Sequence, residues 1–305
     1  MKPTRLFILT LAAMIAFAGN SLLCRFALKQ TGIDAASFTS IRVFSGATAL
    51  WLIIMIRRGL MVDRTTSPLV NMSSDSSPVT RHWSLRQMGN WPSALALFAY
   101  AAAFSFAYNS LSAGTGALLL FGAVQATMIL WGVGEGERLH VRQLVGLALA
   151  LSGLIVLLFP GLSAPPVSGA ILMLGAGVAW GIYSLRGKAV GDPASATAGN
   201  FLRAVPFALM LSIIMLPGAR LDSAGIGYAV LSGAIASGLG YVIWYTALPG
   251  LKAASAATVQ LSVPVLTATG GIMLLGESLT PRFLIASIAV LSGIALVVIQ
   301  KHRAT

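Results

Sequence analysis

Apolar stretches of about twenty residues recur all along this 305-residue chain, and that recurrence restricts the fold more than any motif does. A helix needs about 20 apolar residues to cross the hydrocarbon core of a bilayer. Ten such runs fall at 5–28, 35–57, 90–112, 115–134, 141–160, 167–188, 196–216, 224–247, 253–275 and 282–300. They are continuous rather than alternating, which selects helices over a barrel. Composition agrees: 57% of residues are hydrophobic and 9% charged, against about a quarter charged in a soluble domain. The sequence therefore predicts an all-α integral membrane protein with ten transmembrane helices, in contact with a lipid bilayer. Lys2 and Arg5 precede the first run, and Ala16-Phe17-Ala18 resembles a signal-peptidase site. The run continues to Leu23, so an uncleaved first helix is expected.

The formal net charge of +12 would suggest nucleic acid in a soluble protein. Here Lys and Arg sit mostly in short connections between apolar runs, with no basic stretch interleaved with stacking aromatics, so no nucleic-acid partner is expected. Their distribution reads as a topology signal. With the N-terminus in the cytoplasm, Arg57, Arg58, Arg64, Arg81, Arg86, Arg138, Arg142, Arg186, Lys188, Lys252 and Lys301 fall inside, whereas Arg25, Lys29, Arg220 and Arg282 fall outside. Both termini are expected to be cytoplasmic, in a multi-pass protein of the cell inner membrane. One long polar connection, 58–90, carries Ser73-Ser74-Asp75-Ser76-Ser77-Pro78. Shorter connections carry helix punctuation, and Pro281 suits a first helical turn.

The two halves of the chain match each other. Arg25 and Arg42 are spaced as Arg186 and Arg203 are, and in that register Ala18 falls on Ala179. Tyr108 and Leu111 then fall on Tyr245 and Leu248, and Leu151-Ser152-Gly153 on Leu291-Ser292-Gly293. Each half holds an odd number of spans, so the second enters the membrane from the opposite side. This is an inverted-topology repeat, which lets one protein present a midplane site to either face. The expected units are 1–162, including the loop 58–90, and 163–305. A further matching block reads Gly136-Glu137-Arg138-Leu139 in one half and Gly276-Glu277-Ser278-Leu279 in the other. With Arg42 entering the second helix, these motifs resemble the EamA family of the drug/metabolite transporter superfamily, over essentially the whole chain. The resemblance implies a basket of ten helices around a central cavity, lined by helices 1–4 and 6–9. Within the family, the aromatic content of that cavity looks most like YddG-type amino-acid exporters.

Candidate binding residues come from polar and aromatic side chains at membrane depth. Tyr100, Phe104 and Tyr108 recur at i, i+4, i+8 along one stripe of the third span, and Ser237, Tyr241 and Tyr245 do so in the eighth. Trp180 and Tyr183 extend the set. Belts at the membrane interface are the competing reading for Tyr108 and Tyr245. The amides of Asn20, Gln125 and Gln260 are unfavourable against lipid and are expected to face the interior, for substrate contact or helix–helix bonding. Pro264 sits mid-span and allows a kink. Arg25, Arg42, Arg186 and Arg203 are expected near the mouths of the pathway, and Glu137 and Glu277 as helix-end partners for nearby Arg.

Enzyme chemistry finds no support. His82, His140 and His302 lie in connections or the tail, and no G-x-S-x-G elbow, aspartate pair or metal-ligand spacing appears. Gly187-Lys188 lacks the upstream spacing of a phosphate loop. No cofactor and no metal are expected. No Asp or Glu lies in the middle of a span, which argues against a proton carrier of the usual kind. The expectation is a carrier exporting small organic metabolites, amino acids with aromatic or apolar side chains foremost, by alternating access without an intramembrane carboxylate. A carrier of drugs, nucleosides or sugars, or a non-transporting membrane scaffold, are the alternatives.

Overall fold

The computed structural model of the protein describes residues 2–65, 88–136, 139–161, 164–187, 192–251 and 259–301. Among them are ten helical rods: α1 (Pro3–Gln30), α2 (Ala35–Thr65), α3 (Trp91–Tyr108), α4 (Ala113–Gly134), α5 (Val141–Leu158), α6 (Val167–Gly187), α7 (Pro193–Ile214), α8 (Ser223–Gly250), α9 (Ser262–Leu275) and α10 (Pro281–Lys301). Each of the ten expected spans thus has its helix; α1 to α8 are long and apolar enough to cross a membrane, and α9 and α10 are apolar helices with shorter apolar segments among the described residues. Helix α2 runs into the segment expected as a loop, because Leu60, Met61 and Val62 continue the apolar run past Arg58. The rest of that connection, and Glu137, lie outside the described residues.

Helix starts are written in the sequence. The Asn90 side chain accepts from Ser93 N–H at 2.9 Å, and the Asp192 carboxylate accepts from Ala194 N–H at 3.1 Å, each just ahead of a proline in the first turn. Such caps satisfy N–H groups that have no partner inside the helix and are worth about 1 kcal/mol each. Thr280 accepts from Phe283 N–H at the start of α10, with Pro281 in the first helical position as expected. Pro264 interrupts the ninth span: Val259 and Gln260 are helical, Leu261 is a turn, and α9 restarts at Ser262. A proline cannot donate to the carbonyl four residues before it, so the break falls in the preceding turn.

The repeat is visible in backbone geometry. Gly136 and Gly276 both take positive φ, 93° and 62°, at the ends of α4 and α9. The matched Gly-Glu block thus begins with the left-handed glycine that ends a helix. Helices α5 and α10 pack chiefly on each other, at a crossing of small residues. A side chain at Gly153 would meet Ala286 O at 3.0 Å and Val290, and one at Gly293 would meet Gly146 O and Ala150 N. Gly153 matches Gly293, and in the same register Gly146 matches Ala286 and Ala150 matches Val290, so the two contacts are one contact related by a local two-fold. Ten helices in two inverted five-helix repeats surround a central cavity.

Elsewhere α3 and α4 pack on α6, α2 on α7 and α8, and α1 on α8 and α9. Outward faces are apolar: Met273, Ile213, Ile288 and Phe7 are each at least 67% exposed. That is the surface a bilayer requires, since lipid leaves no cost to an exposed hydrocarbon side chain.

Candidate functional site

A small cavity of about 20 Å³ lies at the centre of the bundle, room for about one water-sized body. Its walls come from α1 (Phe17, Asn20, Ser21), α3 (Tyr100, Phe104), α4 (Leu120, Phe121), α6 (Trp180) and α8 (Ala236, Tyr241). Helices α2, α7 and α9, expected to contribute, supply no wall residue. Rings form a continuous cluster: Trp180 lies 4.8 Å from Tyr100 and 5.0 Å from Tyr241 between centroids, and Phe17 meets Tyr241 at 5.9 Å. Aromatic pairs at these separations add about 0.5–1.5 kcal/mol beyond area burial.

Five of the expected residues are brought together here: Asn20, Tyr100, Phe104, Trp180 and Tyr241. The others stand one layer back. Tyr108 is buried beyond Phe104, its ring edge-on at 4.8 Å and its hydroxyl donating to Ala113 O at 3.3 Å. Tyr183 stacks on Trp180 at 5.4 Å and receives a hydrogen bond from Asn200 at 3.5 Å. Tyr245 packs against the core near Gly187. Gln125 is buried on α4 one turn past Phe121, and Gln260 is half-buried ahead of the break at Leu261. Neither amide lines the cavity.

The polar network beneath the rings was not legible beforehand. Asn20 Nδ2 donates to the Tyr100 hydroxyl at 3.1 Å, and Ser232 Oγ donates to Asn20 Oδ1 at 2.7 Å, tying α1, α3 and α8 together. Arg42 donates through Nε to Ser237 Oγ at 3.3 Å and through Nη2 to the Tyr100 hydroxyl at 3.1 Å. Its guanidinium stands 5.2 Å from the Tyr100 ring centre and 5.0 Å from that of Phe104. Expected at a mouth, Arg42 is instead 2% exposed at the bundle centre. Two features of α8 put it there. Leu231–Leu239 is wound as a π-helix, which stacks residues five apart and aims both Ser232 and Ser237 inward. At Gly233 the backbone of α8 rides on the Arg42 carbonyl, where any side chain would collide.

Both ends of the bundle are latched by polar contacts. Where α1 ends, Arg25 Nε meets Glu277 Oε1 at 3.0 Å and Arg25 Nη1 donates to Tyr108 O at 2.8 Å. Glu277 Oε2 accepts from Ala113 N–H at 2.7 Å, at the start of α4, so Glu277 is the helix-end partner expected. A concavity of about 380 Å³ opens beside this latch. At the opposite end Arg186 donates to Ser93 Oγ at 3.1 Å and Asn90 Oδ1 at 3.3 Å, and Arg203 donates to Met88 O and Gly199 O. On the first side, beyond the helices, Asp34 accepts from the N–H groups of Ala36, Ser37 and Arg220 at 2.8–3.0 Å, joining the α1–α2 and α7–α8 connections. Partial burial pushes its carboxyl up, and the hydrogen bonds outweigh that and hold it below the usual value.

A ten-helix membrane bundle of inverted repeats, closed at both ends around a buried aromatic and polar centre, defines a polytopic membrane transporter. Residues 167–299, which take in α6 to most of α10, match the EamA-like transporter family. An uncharacterized protein of Pseudomonas aeruginosa is 54% identical over 97% of this chain and 96% of its own length. A probable amino-acid metabolite efflux pump of Salmonella typhimurium is 29% identical over 60% of this chain and 66% of its own. A crystal structure of another protein shares the fold, with a TM-score of 0.62 at 16% identity over 98% of this chain and 99% of that one. The chain belongs to the EamA-like transporter family.

Proposed function

We propose that the protein is an inner-membrane exporter of small organic metabolites, amino acids with aromatic or apolar side chains foremost, working by alternating access. The observation that carries this reading is the central cavity: an aromatic cradle with a polar floor, held between two separate latches. Tyr100, Phe104, Trp180 and Tyr241 receive the side chain, and Asn20 meets the polar end. Tyr108, Tyr183, Ser237, Tyr245, Gln125 and Gln260 act from the layer behind. A cavity of about 20 Å³ is too small for such a molecule, so binding requires the cradle helices to separate. In the cycle, the Arg25–Glu277 latch opens on one face and the Arg186–Asn90 latch on the other.

The two repeats, 1–162 and 163–305, supply the moving halves. Both termini face the cytoplasm, as the excess of Lys and Arg on that side directs. Amino-acid efflux, named for the Salmonella relative, is consistent with the cradle. Tyr100→Ala and Tyr241→Ala are expected to lower counterflow of labelled phenylalanine at least about tenfold, since each removes a stacking face and a hydroxyl, while the protein stays monodisperse. Wild-type rates in both variants would sink the site assignment.

A further inference from the structure

Arg42 is fully buried, and among the described residues no acidic side chain answers its charge. Among the described residues no other Lys or Arg is buried to this degree. Its Nη1 is shut away from solvent and has no hydrogen-bond partner. Of the eight acidic residues of the chain, those whose side chains the structure describes, Asp34, Glu135, Asp192, Asp222 and Glu277, fall in connections or at helix ends. Among these described residues none faces the guanidinium at the bundle centre. A cation held away from water without a counter-charge is costly at membrane depth and marks a functional site. The repeat supplies a control, because Arg203, its counterpart, reaches the backbone carbonyls of Met88 and Gly199 near one end of the bundle.

We propose that Arg42 is the receptor for the carboxylate of the transported substrate. Nη1 and Nη2 form one edge of the guanidinium, and a carboxylate binds such an edge through two parallel hydrogen bonds. Nη1 has no competing partner, and Nη2 is held only by the Tyr100 hydroxyl. On loading, the carboxylate takes both positions. The Tyr100 hydroxyl yields Nη2 and keeps its bond from Asn20. The rings of Tyr100 and Phe104 that flank the guanidinium are also walls of the cavity. A substrate anchored at Arg42 therefore lays its side chain on the aromatic cradle. The inference rests on the amino-acid reading above and sharpens it: the carboxylate, not the amino group, is the obligatory polar feature.

The test uses the full chain in detergent and in liposomes, with two readouts. In the first, thermal stability is followed with 3-phenylpropionate, phenylalaninol or chloride added at equal concentration. Stabilisation by 3-phenylpropionate alone is expected. In the second, these compounds compete with counterflow of labelled phenylalanine, and only the carboxylate should compete. Arg42→Gln should weaken 3-phenylpropionate binding by roughly tenfold to hundredfold. Arg42→Lys, which keeps the charge but not the planar fork, serves if the glutamine variant does not fold, and should weaken it at least several-fold. Equal effects of phenylalaninol or chloride, no stabilisation by 3-phenylpropionate, or unchanged affinity in the folded variants would each overturn the proposal. Stabilisation by 3-phenylpropionate that depends on Arg42, with no phenylalanine counterflow, would retain the carboxylate receptor and overturn the amino-acid reading instead.

Discussion

The crossing of α5 and α10 gives a prediction that comes from backbone geometry alone. At Gly293 an added methyl would meet Ala150 N at 2.6 Å and Ala150 Cβ at 3.0 Å, and would also press on Gly146 O. Two of these three atoms are backbone, so they cannot rotate away and the helices must separate. Overpacking of this kind costs about 1–3 kcal/mol, and the immovable contacts place Gly293→Ala toward the upper end. Replacing glycine by alanine in a helix returns up to about 1 kcal/mol through propensity, so a control is needed. Gly175 on α6 has nothing within 4 Å of its would-be side chain, and Gly175→Ala should be neutral or slightly stabilising. The difference between the two variants isolates the packing contribution. Gly153→Ala, at the two-fold-related contact, should resemble Gly293→Ala. The chain carries its own reporter: its single cysteine, Cys24, is fully buried, so labelling by a thiol-reactive dye during heating follows unfolding. Gly293→Ala and Gly153→Ala should become labelled several degrees below wild type. If both melt with Gly175→Ala, the close crossing, and with it the local two-fold, is refuted.

Two further predictions concern polar contacts. Asn20→Ala removes the link between the Tyr100 and Ser232 hydroxyls and should cost about 0.6–2 kcal/mol, the range for such bonds inside membranes; a melting temperature equal to wild type would show that the link contributes nothing. Because the folded carboxyl of Asp34 lies below its usual value, its contribution is complete above the unfolded value and is lost as pH falls through the lowered one. The wild type should therefore lose stability relative to Asp34→Asn on acidification below about pH 4, and parallel acid profiles would contradict this.

The ten helices were legible because a bilayer forces each span to be long and apolar, and because proline and cap residues mark where spans start. Tyr100 and Phe104 were legible as a pair because i, i+4 spacing puts them on one helix face, and Trp180 and Tyr241 because large rings at depth must pack inward. Gln125 was rightly turned from lipid, but avoiding lipid does not specify which interior surface an amide meets. The centre of the site was harder to read. A charge seven residues into α2 suggests a helix mouth, and nothing local says that Ser237 and the Tyr100 hydroxyl wait at depth to receive it. Residues five apart, such as Ser232 and Ser237, diverge by about 140° on an α-helix. Only the π-helical winding of Leu231–Leu239 brings both to the core, and its sequence, rich in Ser, Gly and Ala, reads equally well as ordinary close packing.

Counterflow by the purified protein in liposomes loaded with single unlabelled amino acids, with and without a pH gradient, tests the central claim most directly. The account predicts uptake of labelled phenylalanine and methionine without a gradient, suppressed by excess aromatic amino acid. No uptake of any amino acid by protein shown to be folded would contradict it.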